Sequence, residues 1–268
     1  MLAGTGVASY VDQAVWWKAA LALLVALALQ VGVNYANDYS DGIRGTDADR
    51  VGPLRLVGAG VASPAVVRAA AFAAFGVAMV AGLVLAATTS WWLVLVGGLA
   101  VVAAWFYTGG SMPYGYRALG ELMVFVFFGL VAVLGTTYVQ TESLPVPAWY
   151  AAVGVGALAC AILVANNLRD IPTDRATGKR TLAVVLGETR TRGLYAMLVG
   201  VALVALVAVV LSTSRLALLG LAFVLPVVPS TRMVLTGATG RDLVPVLART
   251  GIAELLWSAG VFLGLLLV

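Results

Sequence analysis

The stretch AVWWKAALALLVALALQVGVNYANDYSD, residues 14–41, decides the fold: a long run with one charge in it leads directly into two carboxylates. A membrane helix needs roughly 20 apolar residues, at about 1.5 Å each, to cross the hydrocarbon core. Residues 14–36 therefore read as a transmembrane span that delivers Asp38 and Asp41 to one edge of the bilayer. The same rule places further spans at 64–87, 91–107, 119–140, 148–168, 193–212, 215–235 and 244–267, giving eight in all. Residues 1–11 are apolar but too short to cross, and read as the end of a ninth helix or a re-entrant stub. Composition agrees. The 268 residues are 62% hydrophobic and only 10% charged, with a mean hydropathy of +1.03, whereas soluble domains carry about 25% charged residues. The expectation is one all-α polytopic membrane domain over 1–268.

Alternating the spans puts loops 37–63, 108–118, 169–192 and 236–243 on one face and the short connections 88–90, 141–147 and 213–214 on the other. The first face holds nearly all of the cations, from Arg44 to Arg241, against Lys18 and Arg215 opposite. The positive-inside rule makes the first face cytoplasmic, in the cell membrane. Trp16-Trp17, Trp91-Trp92 and Trp149-Tyr150 begin spans on the opposite face, where an aromatic belt would hold them.

Of the 12 acidic residues, Asp38, Asp41, Asp47, Asp49, Asp170 and Asp174 fall in two clusters. Asn34-x₃-Asp38-x₂-Asp41 after the first span is echoed by Asn166-x₃-Asp170-x₃-Asp174 after the fifth, four crossings away and so on the same face. This echo suggests two similar halves. If helix continues through the span ends, Asp38 with Asp41 and Asp170 with Asp174 each share a helix face as a two-carboxylate claw. Like charges so close at a membrane boundary call for cations, and Mg²⁺ suits carboxylate plus phosphate oxygens. Solvated loop carboxylates paired with neighbouring Arg are the plainer account of any one Asp; two matched clusters, with Asn37 and Asn167 beside them, argue against it for the set. Arg44, Arg50, Arg55, Arg169, Arg175, Lys179 and Arg180 interleave with the claws, an alternation suited to a polyanionic ligand bridged through metal. Histidine is absent and Cys160 is the single cysteine, which removes imidazole metal sites, His-activated nucleophiles and disulfides. An oily interior capped by a metal–diphosphate site fits an isoprenoid diphosphate. A cation-coupled transporter is the different-class rival; it should carry its ionisable groups near mid-bilayer.

The segments NYANDYSDGIRGTDADRVGPLRLVG (34–58), NNLRDIPTDRATGKRTLAVVLG (166–187), YTGGSMPYGYRALGE (107–121) and VFFG (126–129) resemble the UbiA superfamily of membrane prenyltransferases, most closely its dihydroxynaphthoate-prenylating branch. The resemblance implies a helical bundle, usually of nine spans, and transfer of a polyprenyl group from its diphosphate to an aromatic acid. For 1,4-dihydroxy-2-naphthoate the transfer proceeds with loss of CO₂ and pyrophosphate, giving demethylmenaquinone. It implies that Asp38, Asp41 and Asp47 with Asn34 and Asn37 hold one Mg²⁺, and Asp170 and Asp174 the other. Arg169, Lys179 and Arg180 are the implied contacts for diphosphate or the acceptor carboxylate. Arg44, Arg50, Arg55, Asn166, Asn167 and Tyr107 complete the expected substrate site. Where the resemblance leads one to expect a basic residue before the Pro of the 107–113 loop, this chain has Met112, with Arg117 the substitute. Other acceptors, 4-hydroxybenzoate or homogentisate among them, stay open. The expected partners are the two substrates and membrane lipid, with no nucleic acid.

Overall fold

The computed structural model describes residues 1–45 and 54–268. The expected contributions of Asp47 and Arg50 lie outside the described residues. Among these residues the chain is helical, with no strand and a single isolated backbone bridge between Arg117 and Arg180. Its helices are α1 (Leu2–Tyr10), α2 (Trp16–Arg44), α3 (Pro64–Thr88), α4 (Leu93–Phe106), α5 (Gly120–Thr141), α6 (Val146–Ala176), α7 (Leu182–Leu186), α8 (Glu188–Ser212), α9 (Arg215–Leu235) and α10 (Gly240–Leu266).

Seven of the described helices are long and apolar enough to cross a bilayer. The eighth expected span, 91–107, falls short: α4 has 14 helical residues, because Trp91 and Trp92 form the turn that enters it. At about 1.5 Å per residue that is about 21 Å, less than the hydrocarbon thickness of about 30 Å. Residues 1–11 contain a nine-residue helix, not a re-entrant loop, and its face of Ala3, Val7 and Ala8 is fully enclosed. It packs chiefly on α10.

Two helices outlast their apolar runs, and this shapes the site. Helix α2 continues through Asp38 and Asp41 until Gly45, at φ 70°, turns the chain in the left-handed conformation that glycine takes without steric cost. Helix α6 continues through Asp170 and Asp174 to Ala176 despite Pro172. It is also the central helix: Ala148, Ala151, Ala152, Leu158, Ala161 and Ala165 are completely enclosed. Small residues allow this. A Cβ on Gly129 of α5 would stand 2.7 Å from the Cα of Gly156 on α6, so that crossing is backbone on backbone, as in membrane helix pairs. Around it, Phe125–Leu134 is wound as a π-helix, a widening often found at functional sites.

Side chains show which ends lie together. Lys18 donates to the Thr88 carbonyl at 3.0 Å and to the Thr89 hydroxyl at 2.9 Å; Tyr10 reaches the Thr213 carbonyl; and Trp92 donates to Tyr138. Those segments form one end. The other gathers the C-terminal ends of α2 and α6 with the 107–117 loop. On the lateral surface Leu211 is 82% and Leu225 77% exposed, as befits helices whose length and hydropathy suit a lipid surrounding.

Candidate functional site

A cavity of about 820 Å³ opens among α2, α3, α4, α5, α6 and α10. Its interior is lined by groups such as Ala22, Leu85, Val96, Phe127 and Val131, whereas one end presents Asp41, Asp170, Asp174, Arg55 and Lys179. The polarity gradient follows from α2 and α6 running on, as helix, past the apolar part of their sequence.

At that polar end Asp41, 5% exposed, accepts a short hydrogen bond from the Tyr116 hydroxyl and a longer one from Lys179 Nζ at 3.4 Å. Lys179 also lies 4.7 Å above the Tyr116 ring. Burial works against its charge, but Asp41, Tyr116 and Asp174 outweigh that and raise its pKa, so it stays cationic. Asp174 accepts from Thr181 at 3.3 Å. Tyr114 borders the cavity, donates to the Ala103 carbonyl at 2.7 Å, and is pushed up to about 12 by burial.

Asp170 faces the cavity while Arg169 grips it from behind, Nε to Oδ1 at 2.6 Å and the terminal nitrogen to Oδ2 at 2.7 Å. Arg169 also donates to Asn166 at 2.9 Å, and it is absent from the cavity wall. Asp38 likewise points elsewhere. Its two oxygens accept the backbone N–H groups of Leu56 and Val57 at 2.8 and 3.0 Å, tying the returning loop to α2. Asn34, Asn37, Asn166 and Asn167 all border the cavity. Asn37 accepts from Thr108 at 2.8 Å, and Asn167 donates to Glu121 at 2.9 Å.

The remaining expected cations divide. Arg55 and Tyr107 line the cavity. Arg44 instead donates to the carbonyls of Thr108 and Gly110, fastening α2 to the end of α4. Arg117 is exposed and contacts Met112 Sδ at 2.8 Å, and Arg180 is exposed beside it. Of the tyrosines near the mouth, Tyr107, Tyr114 and Tyr116 face the cavity, whereas Tyr39 stacks on Trp105 at 6.2 Å. Glu254 borders the interior wall, and Arg249 turns to Met233 instead of to it. Sequence reasoning did not single out Glu121 or Thr181; the one available signal for Glu121 was a charge at the start of an apolar helix.

Among the described residues no three carboxylates converge closely enough to hold an ion by themselves. Beside Arg55 and Lys179, the polar end nevertheless offers oxygen ligands: the carboxylates of Asp41, Asp170 and Asp174 and the amide carbonyls of Asn34, Asn37 and Asn166. Mg²⁺ is usually bound by one or two carboxylates, with phosphate and water completing the octahedron. The residues therefore fit such an ion brought in with a phosphate ligand.

Comparison with known proteins gives the same direction. Residues 1–242 match the model of the UbiA prenyltransferase family. A 1,4-dihydroxy-2-naphthoate octaprenyltransferase of Mycobacterium tuberculosis is 53% identical over 261 residues, 97% of this chain and 89% of that protein. Its Escherichia coli counterpart is 40% identical over 205 residues, 71% and 67% of the two chains. Among solved structures, a UbiA homolog from Archaeoglobus fulgidus bound to GPP and Mg²⁺ aligns over 100% of this chain and 95% of that one, with a TM-score of 0.65 at 17% identity; this likeness is of fold. From the family match and from a relative sharing half its residues, the chain belongs to the UbiA prenyltransferase family.

Proposed function

We propose that this protein transfers a polyprenyl group from an all-trans polyprenyl diphosphate to 1,4-dihydroxy-2-naphthoate, with loss of pyrophosphate and CO₂, in menaquinone synthesis. The observation that carries the reading is one cavity with an oily length and an end bearing Asp41, Asp170, Asp174, Arg55 and Lys179. The names of the relatives specify the acceptor. We assign the polar end to the cytoplasmic face from the Arg and Lys bias of its loops. We also assign the chain to one domain whose claw-bearing helices, α2 and α6, are equivalent members of two halves.

The division of labour follows from the contacts. Mg²⁺, held by Asp41, Asp170 and Asp174 with Asn34, Asn37 and Asn166, would supply positive charge against the diphosphate as its bond to the prenyl chain breaks. Lys179 and Arg55 add fixed cations at the same end, and the buried Lys179 keeps its charge through its neighbours. Asp38 and Arg44 hold the loops around the site, and Arg169 orients Asp170. The apolar wall seats the prenyl chain and excludes water from the allylic carbon, leaving the aromatic ring as the available nucleophile.

The test is incubation of purified protein with Mg²⁺, a radiolabelled polyprenyl diphosphate and a panel of aromatic acids. Lipid-soluble label with dihydroxynaphthoate, lost on chelation and restored by Mg²⁺, is the expected result. Product with another acid alone would overturn the acceptor, and full turnover in chelator would overturn the metal.

A further inference from the structure

Glu121 sits in the first turn of α5, 8% exposed. Its Oε1 accepts the Asn167 amide at 2.9 Å, and its Oε2 has no hydrogen-bond partner among the described residues. A buried carboxylate oxygen without a donor is costly and calls for an explanation. Glu121 is outside the cavity wall, but Asn167 is part of it.

An amide side chain has two chemically opposite ends, N–H₂ donating and C=O accepting. A carboxylate accepts only from the donating end. Glu121 therefore fixes which way Asn167 is turned: Nδ2 goes to α5, and Oδ1 is the end left for the cavity. The level of that oxygen matters. Asn167 lies between Leu163 and Asp170 on the cavity face of α6, about 4.5 Å further into the membrane than Asp170 at 1.5 Å per residue. Tyr107 borders the same level, since its hydroxyl would be 3.3 Å from a Cβ on Gly120. An acceptor that attacks the allylic carbon must lie just beneath the diphosphate, so its ring edge reaches this level.

We infer that Glu121 is a positioning residue that locks the Asn167 amide so that its carbonyl oxygen accepts a hydrogen bond from a ring hydroxyl of the aromatic acceptor. The inference rests on the prenyltransferase reading above and deepens it: the acceptor must be a hydroxylated aromatic, chosen for its O–H as well as its carboxylate. A site that hydrogen-bonds a hydroxyl discriminates strongly against the analogue that lacks it.

The experiment compares 1-hydroxy-2-naphthoate and 4-hydroxy-2-naphthoate as competitive inhibitors of dihydroxynaphthoate turnover, in detergent with saturating Mg²⁺. Each inhibition constant is divided by the dihydroxynaphthoate KM. Glu121→Leu should lower this ratio about tenfold for the analogue missing the bonded hydroxyl, with the KM for polyprenyl diphosphate within about twofold. Glu121→Gln, whose carbonyl end can still accept from Asn167, should restore most of the ratio. Asn167→Leu should lose it too, which keeps the test open if Glu121→Leu does not fold. An unchanged ratio in Asn167→Leu, or a change confined to the diphosphate KM or the Mg²⁺ requirement, would overturn the inference. Failure of the wild-type protein to use dihydroxynaphthoate counts instead against the acceptor named above. The ratio is then read on whichever hydroxylated acid the panel identifies and on its deoxy analogue.

Discussion

Asp38 and Asp41 are three residues apart on one helix, yet only Asp41 faces the cavity, while Asp38 holds the backbone of Leu56 and Val57. They should therefore fail differently. Asp41→Ala and Asp170→Ala should each lower turnover by about 100-fold or more, the usual size of losing one preorganised charge at a reacting group. Asp38→Ala should act through the loop, lowering the melting temperature in detergent together with activity, because two backbone donors lose their acceptor. Equal melting temperatures for Asp38→Ala and Asp41→Ala would remove that distinction. Lys179→Met should raise the KM for polyprenyl diphosphate roughly tenfold or more, with a smaller change in the KM of the acceptor, measured by varying each substrate in turn. The residue types of the site could be read in the sequence; their directions could not. Arg169 follows the pattern of a diphosphate contact, but its guanidinium is spent on Asp170 and Asn166. Arg44 follows it too and closes on carbonyls instead. Direction depends on which face of a packed helix meets its neighbour, and residue order does not contain that.

At the scale of elements, hydropathy located the crossings well because lipid imposes one solvent on all of them. It began α4 two residues too early, since tryptophans at a membrane interface score as apolar whether they belong to the helix or to the turn before it. It also stopped α2 and α6 too early, because helix continues into polar sequence once the chain leaves lipid. The pairing of α5 with α6 was legible only as an abundance of glycine. In the structure, Gly129 meets the backbone of Gly156 with no room for a methyl group. Gly129→Ala should therefore destabilise the protein by about 1–3 kcal/mol, the range for overpacking a close contact. The control is Gly135→Ala on the same helix, where a Cβ meets nothing within 4 Å. A thermal shift in detergent that is no larger for Gly129→Ala than for Gly135→Ala would show that the crossing can yield.

For the whole molecule, one cavity joins a lipid-like interior to a charged end, and in the proposed reaction the length of that interior would limit the prenyl chain. Gly97 of α4 and Gly82 of α3 both border the cavity, and a Cβ on either would meet nothing within 4 Å. A bulky side chain there can enter the space without forcing the helices apart, unlike one at Gly129. Gly97→Phe should therefore retain turnover of geranyl diphosphate within a few-fold of wild type and lose most of its turnover of long polyprenyl diphosphates. The ratio of the two rates is the measurement, since a general folding defect would lower both. Unchanged turnover of both short and long donors would mean that the chain leaves the cavity before reaching α4, and that its length is set by lipid contact instead of by the protein wall.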